Sequence, residues 1–226
     1  MRIRTLLPLL SLLLTLPTLV YADSLSYTGS LDPTNPNDVY LATFTLSSAT
    51  ELVVQSWGYG GTSGAPGGTN AAGTVISSGG FDSYLSLFSG TGPTATFVAS
   101  NDDGGCGPAS PDPASNGYCE DARLDLIDLA AGSYTIALTL PNNYSIAENY
   151  GYGDLGDGFI GLQGDYYDYA TGEVRTSNFA FDITADGLTG STPPPSTVPE
   201  PSSIALLGTG LVFAAAKLRQ RIGASL

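Results

Sequence analysis

The sequence predicts an all-β fold, an antiparallel β-sandwich of jelly-roll type. Three observations predict it. Between residues 24 and 184, about eight short runs alternate apolar and polar residues, the period of a half-buried strand. Turn signals drawn from 29 Gly and 15 Pro separate these runs. No part of the body repeats apolar residues at helical spacing, so sheet packed on sheet is the architecture left.

The elements follow in chain order. Residues 24–31 read as a first strand, stopped by Asp32-Pro33 and Asn35-Pro36. In 39–46, Tyr40, Ala42, Phe44 and Leu46 fall on one face. A strand over 51–57 follows the turn Ser47-Ser48-Ala49-Thr50. Residues 58–80 are Gly-rich and read as a surface loop with one short strand near 74–77. A central hairpin comes next, 84–88 and 95–100, and its far end is acidic: Asn101-Asp102-Asp103-Gly104-Gly105-Cys106. A Pro-, Gly- and Asp-rich loop leads from there to Cys119. Run 122–128 puts Leu124 and Leu126 on one side, and 132–140 alternates Tyr134, Ile136, Leu138 and Leu140 before Pro141 ends it. Residues 142–169 are weakly patterned, with a strand expected near 159–162. Run 178–184 closes the body, with Phe179, Phe181 and Ile183 turned inward.

Both ends of the chain read as addresses. Residues 1–22 have the layout of a secretory signal peptide: Arg2 and Arg4, an apolar stretch over 6–16, then Val20-Tyr21-Ala22 before the expected cut. The β-sandwich body is assigned to 23–188, a Pro-rich linker to 189–197 and a tail to 198–222. The tail reads Val198-Pro199-Glu200-Pro201, then an apolar run over 204–216, then the basic stop Lys217, Arg219 and Arg221. A helix over that run would be about 20 Å long at ~1.5 Å per residue, short of the ~30 Å hydrocarbon core. Such a tail suits transient inner-membrane association, with an ordinary single-span anchor as the alternative and the bases on the cytoplasmic side in either case. In motif, apolar run and basic stop it closely resembles the PEP-CTERM sorting signal. That resemblance implies an exosortase-type processing enzyme as partner and a final place at the cell surface or in the extracellular matrix.

Charge narrows the partners. Only Arg123 and Arg175 among seven bases lie between residues 23 and 190, against twenty of the 21 acids. So acidic a body repels phosphate backbones, and no nucleic-acid partner is expected. Exopolysaccharide and divalent cations remain as expected partners.

The chemistry is thin. The chain has no His, and its body has no Lys and only two Cys, which removes the usual Ser, Cys and His-metal catalytic sets. A non-enzymatic role is expected, with a carboxylate pair acting on glycans as the enzymatic alternative. Cys106 and Cys119 read as a disulfide of an exported chain, worth roughly 3 kcal/mol in the chain-entropy model. A zinc site built on the pair would want further His or Cys ligands, and the sequence has none. Asn101, Asp102, Asp103, Asp112 and Asp121, with Glu120 beside them, form a candidate set of oxygen ligands for calcium. Asp154 and Asp157 are a weaker candidate that also fits a plain turn. Trp57, Tyr59, Tyr144, Tyr150, Tyr152, Tyr166, Tyr167 and Tyr169 put aromatic rings in loops, where they either cover the sandwich or stack on sugars. Calcium-dependent carbohydrate binding is therefore the alternative to a purely structural role.

A second resemblance rests on Gly79-Gly80-Phe81-Asp82, Leu85-x-Leu87-Phe88, Asn101-Asp102-Asp103-Gly104, Cys106, Cys119 and Ala131-Gly132-Ser133-Tyr134-Thr135. Asp157-Gly158-Phe159, Arg175-Thr176 and Phe179-Ala180-Phe181-Asp182-Ile183 extend it. These segments resemble a group of PEP-CTERM surface proteins of unknown function, a pattern similar in turn to bacterial pre-peptidase C-terminal domains. The resemblance implies a jelly-roll sandwich and, among the latter domains, calcium binding. Members of the group often carry a further Cys pair where this chain has Tyr166, Tyr167 and Tyr169.

Overall fold

The structure is a computed structural model that describes residues 23–35, 37–59, 66–104, 120–161, 165–168 and 172–190. Eight long strands build two sheets. They are β1 (Asp23–Ser30), β2 (Tyr40–Leu46), β3 (Thr50–Trp57), β6 (Tyr84–Ser89), β7 (Thr96–Asn101), β8 (Arg123–Leu129), β9 (Gly132–Thr139) and β12 (Asn178–Ala185). Five short strands complete the set: β4 (Pro66–Thr69), β5 (Val75–Ser77), β10 (Tyr167–Asp168), β11 (Glu173–Val174) and β13 (Leu188–Gly190). One sheet has the order β1-β12-β3-β8 and the other β13-β2-β9-β6-β7, with antiparallel pairing throughout.

Among the long strands, first pairs with last, second with second-last, and so inward to β6 with β7, the pairs falling alternately in the two sheets. That is a jelly roll, as the sequence predicts. The core lies between the sheets. Phe181, Ile183, Leu52 and Val54 from one meet Phe44, Leu85, Leu87, Ile136 and Leu138 from the other. Tyr27 stacks on Phe181 at 4.8 Å between centroids, and Phe44 on Tyr134 at 5.6 Å. Each such buried ring or branched chain stabilises the fold by about 1.5–3 kcal/mol before entropy is counted.

Two expectations need correction. Within the stretch read as a loop, residues 66–77 hold a hairpin of two strands, β4 and β5, rather than one short strand. It covers the outer side of β12, whose Asp182 accepts from Ser26 Oγ, Trp57 Nε1 and the Ala71 amide. Phe159 forms an isolated bridge with Ser145, not a strand. The stretch before it is a helical turn, α1 (Ile146–Tyr150), with Ser145 as its cap and Gly151 in the left-handed region after it. This segment carries Ala147 and Leu155 onto Phe88, Ala95 and Ala137, the outer side of the second sheet. Five consecutive residues of β6 are buried for that reason. Strand β13 ends at Gly190.

One irregularity was hidden in the pattern. Phe97 and Ala99 lie two apart and should share a face, yet Phe97 packs outside with Phe88 while Ala99 packs in the main core. The register runs Leu87↔Ala99 and then Phe88↔Phe97, so Val98 is an extra residue that flips the strand.

A buried ion pair ties residues 165–168 to 172–176 and, through Tyr59, to the end of β3. Arg175 Nη2 meets Asp168 Oδ2 at 2.7 Å with both side chains at most 5% exposed. The guanidinium lies 3.9 Å over the Tyr59 ring, Nη1 donates to Tyr59 O, and the Tyr59 hydroxyl donates to the same Asp168 oxygen.

Candidate functional site

The register of the central hairpin builds a carboxylate cluster at one end of the sandwich. Leu85 pairs with Asn101, so the residues just before β6 stand opposite those just after β7. Gly104 bridges to Ala122, and Arg123 N donates to Asp103 O, which brings the start of β8 to the same place. Asp82, Asp103 and Glu120 each offer a carboxylate oxygen, and these atoms lie within 4.8 Å of one another.

Asp82 is the inner member, and its Oδ1 is buried with no hydrogen-bond partner. Burial pushes its carboxyl up to about 9; the charges of Glu120, Asp103 and Asp102 add to the push, as does a hydrogen bond with Glu120. Asp103 is raised as well, by partial burial first and by Asp102 second. At neutral pH the trio holds a proton unless a cation replaces it.

The sequence-predicted ligands separate here. Asp103 belongs to the cluster, and Asp102 adds its charge from the next position. Asn101 shapes the turn: its Nδ2 donates to Asp103 O and Arg123 O, and its Oδ1 accepts from Asp102 N. Asp121 turns toward β3, where its Oδ1 accepts from Ser56 Oγ at 3.2 Å and from Tyr59 N at 3.3 Å. Asp112, Cys106 and Cys119 lie outside the described residues, as do the sorting residues Val198, Pro199, Glu200 and Pro201 and the bases Lys217, Arg219 and Arg221.

Asp82 is the residue that sequence reasoning missed as a ligand. It stands two residues before a strand whose hairpin partner ends in Asp102-Asp103, so pairing the hairpin on paper would have placed it. Asp154 and Asp157 make the plain turn: they form a capping box around a 3-10 turn, Leu155–Asp157.

The aromatic residues divide too. Tyr59 is buried, Tyr144 packs edge-on to Tyr84, and Tyr166 packs against Phe81. The Tyr84 hydroxyl donates to Glu148 and lies 2.8 Å from Ser100 Oγ, and burial first, then the Glu148 bond, raises it well above the usual tyrosine range. Tyr150 and Tyr152 are exposed and 5.9 Å apart, and Tyr167 is partly exposed. Tyr169 lies outside the described residues. Trp57 is half-buried beside a surface cleft of about 370 Å³.

Fold and site together define a mostly β sandwich with an acidic end, carried by a chain with a separate C-terminal address. Residues 197–221 match the PEP-CTERM protein-sorting motif. The motif marks an exported protein, anchored at the cell surface and processed by an exosortase. No curated protein matches this chain. Among the described residues, no helix is long and apolar enough to cross a membrane.

Proposed function

We propose that this chain is a non-enzymatic protein of the cell surface or extracellular matrix, retained with exopolysaccharide after its tail is removed. The observation that carries this reading is the sorting motif at 197–221 behind a self-contained jelly roll. The body's lack of His and Lys supports a binding or structural role, and its likeness to pre-peptidase C-terminal domains is consistent with one. The test is fractionation of the producing cells. The processed chain should travel with extracted polysaccharide, and replacing Pro199-Glu200-Pro201 by alanines should leave an unprocessed chain in the membrane fraction. A processed chain found free in the medium would contradict the reading.

A second reading has its own support: a divalent cation, calcium by donor type, held by Asp82, Asp103 and Glu120. The buried, unpartnered Asp82 Oδ1 favours it, because a hard cation supplies what that oxygen lacks. Calorimetry with and without calcium should show a rise in Tm that Asp82→Asn abolishes. An unchanged Tm at millimolar calcium would dismiss it. The same cluster could serve a glycan-active enzyme only if a substrate cleft reached it; replacing Asp82 or Asp103 would then abolish turnover of the producer's polysaccharide.

A further inference from the structure

We propose that the cleft beside Trp57 binds a neutral saccharide. The inference rests on the matrix-associated reading above and supplies it with a binding site. The floor of the cleft comes from strand register. Thr28 pairs with Ala180 and Ala180 with Trp57, so the three lie in one row across β1, β12 and β3 on the outer side of the sheet. Small Ala180 between two larger neighbours leaves a dip. Strand β5 raises one wall and puts Val75, 68% exposed, on the lip.

Three properties identify the ligand class. First, every lining residue is uncharged, on a body with twenty acids. A cation site would show carboxylates and an anion site would show bases, so the complement is a neutral molecule. Second, the lining is rich in hydroxyl and amide groups. The side chains of Thr28, Ser77, Ser78 and Asn178 make no hydrogen bond within the protein among the described residues, so each can exchange water for a ligand hydroxyl. Third, the indole is held in place before any ligand arrives. Trp57 Nε1 donates to Asp182 Oδ2 at 2.7 Å, and Asp182 is itself held by Ser26 and Ala71. A fixed aromatic surface beside solvated hydroxyl groups complements a sugar ring, which has apolar C–H faces and a polar rim. The volume of about 370 Å³ falls in the range of small-ligand sites.

Trp57 is the chain's single tryptophan, so its fluorescence reports on the cleft alone. The purified exported protein is titrated with malto-, cello- and xylo-oligosaccharides, and with oligogalacturonate as the acidic counterpart. The expected result is a saturable change in Trp57 emission with at least one neutral series at millimolar concentration or below, and none with the acidic one. Asn178→Ala should weaken binding about tenfold, the worth of one well-placed hydrogen bond. Ser77→Arg, at an exposed position that leaves the core untouched, should abolish binding without lowering Tm. No saturable change with any neutral series would overturn the inference, as would unaltered binding by Ser77→Arg or equal response to the acidic series. A chain that fractionates with polysaccharide but shows no Trp57 response rules out the cleft alone. A chain that binds oligosaccharide but fractionates free contradicts only the matrix reading.

Discussion

Replacing Arg175 by methionine should be among the most damaging single changes in the body. Its guanidinium lies 2.7 Å from Asp168, and the two side chains are 2% and 5% exposed. Methionine keeps most of the packed volume over the Tyr59 ring but removes the charge and the donor to Tyr59 O. Asp168 is then left charged in the interior with its ion-pair partner gone. Breaking a buried pair from one side costs about 3–5 kcal/mol, mostly desolvation that the guanidinium no longer offsets. For a domain of this size, about 2–4 °C per kcal/mol makes that a fall of about 6–20 °C in Tm. The assay is thermal unfolding followed by circular dichroism, with the double variant Arg175→Met/Asp168→Asn alongside. Asparagine removes the stranded charge yet still offers Tyr59 an acceptor, so the double variant should recover at least half of the loss. A single-variant cost below about 1 kcal/mol, the range of exposed ion pairs, would refute the reasoning. So would a double variant no better than the single.

Three further outcomes follow from particular contacts. Asp82 has a folded pKa of about 9 against about 3.9 unfolded, so it takes up a proton on folding. Its contribution is complete below about pH 4 and is lost as pH rises toward 9, by up to about 1.4 kcal/mol per unit. Without added calcium, Tm should therefore fall across that window, and Asp82→Asn should flatten the curve; a wild-type profile that rises with pH would reject this assignment. Gly80→Ala should destabilise by about 1–3 kcal/mol in urea titration, because its Cβ would lie 2.9 Å from Asn178 O and 3.0 Å from Gly58 O, both backbone atoms with little room to move. The disulfide expected between Cys106 and Cys119 predicts that reduction lowers stability by up to roughly 3 kcal/mol and that intact-mass measurement of the oxidised chain shows the loss of two hydrogens.

The hydrophobic alternation was enough to read the architecture. Phe179, Phe181 and Ile183, or Tyr134, Ile136 and Leu138, sit on the buried side because a strand's period of two leaves no other choice once one face is apolar. The exceptions are the places where something else covers the second face. Five consecutive residues of β6 are buried because α1 and the 3-10 turn lie on them, and short, Tyr-rich loop sequence carries no periodic signal of that packing. The Val98 bulge was equally invisible, since one extra residue changes the face without changing the composition.

The candidate cation site divides along the same line. The acidic run Asn101-Asp102-Asp103 announced itself by crowding, a property of neighbours in sequence. Which oxygens meet was decided by strand register: Asp82 enters from across the hairpin, Asp121 leaves for Ser56, and Asn101 is taken up by its own turn. The C-terminal address needed no fold at all, because it is read as a linear string by another protein. The sequence by itself therefore determined the destination of the chain and the class of its fold, both functions of local order. Only the tertiary structure decided the cleft at Trp57 and the carboxylate trio, because each draws its atoms from strands far apart in the chain and adjacent only once the sheets have formed.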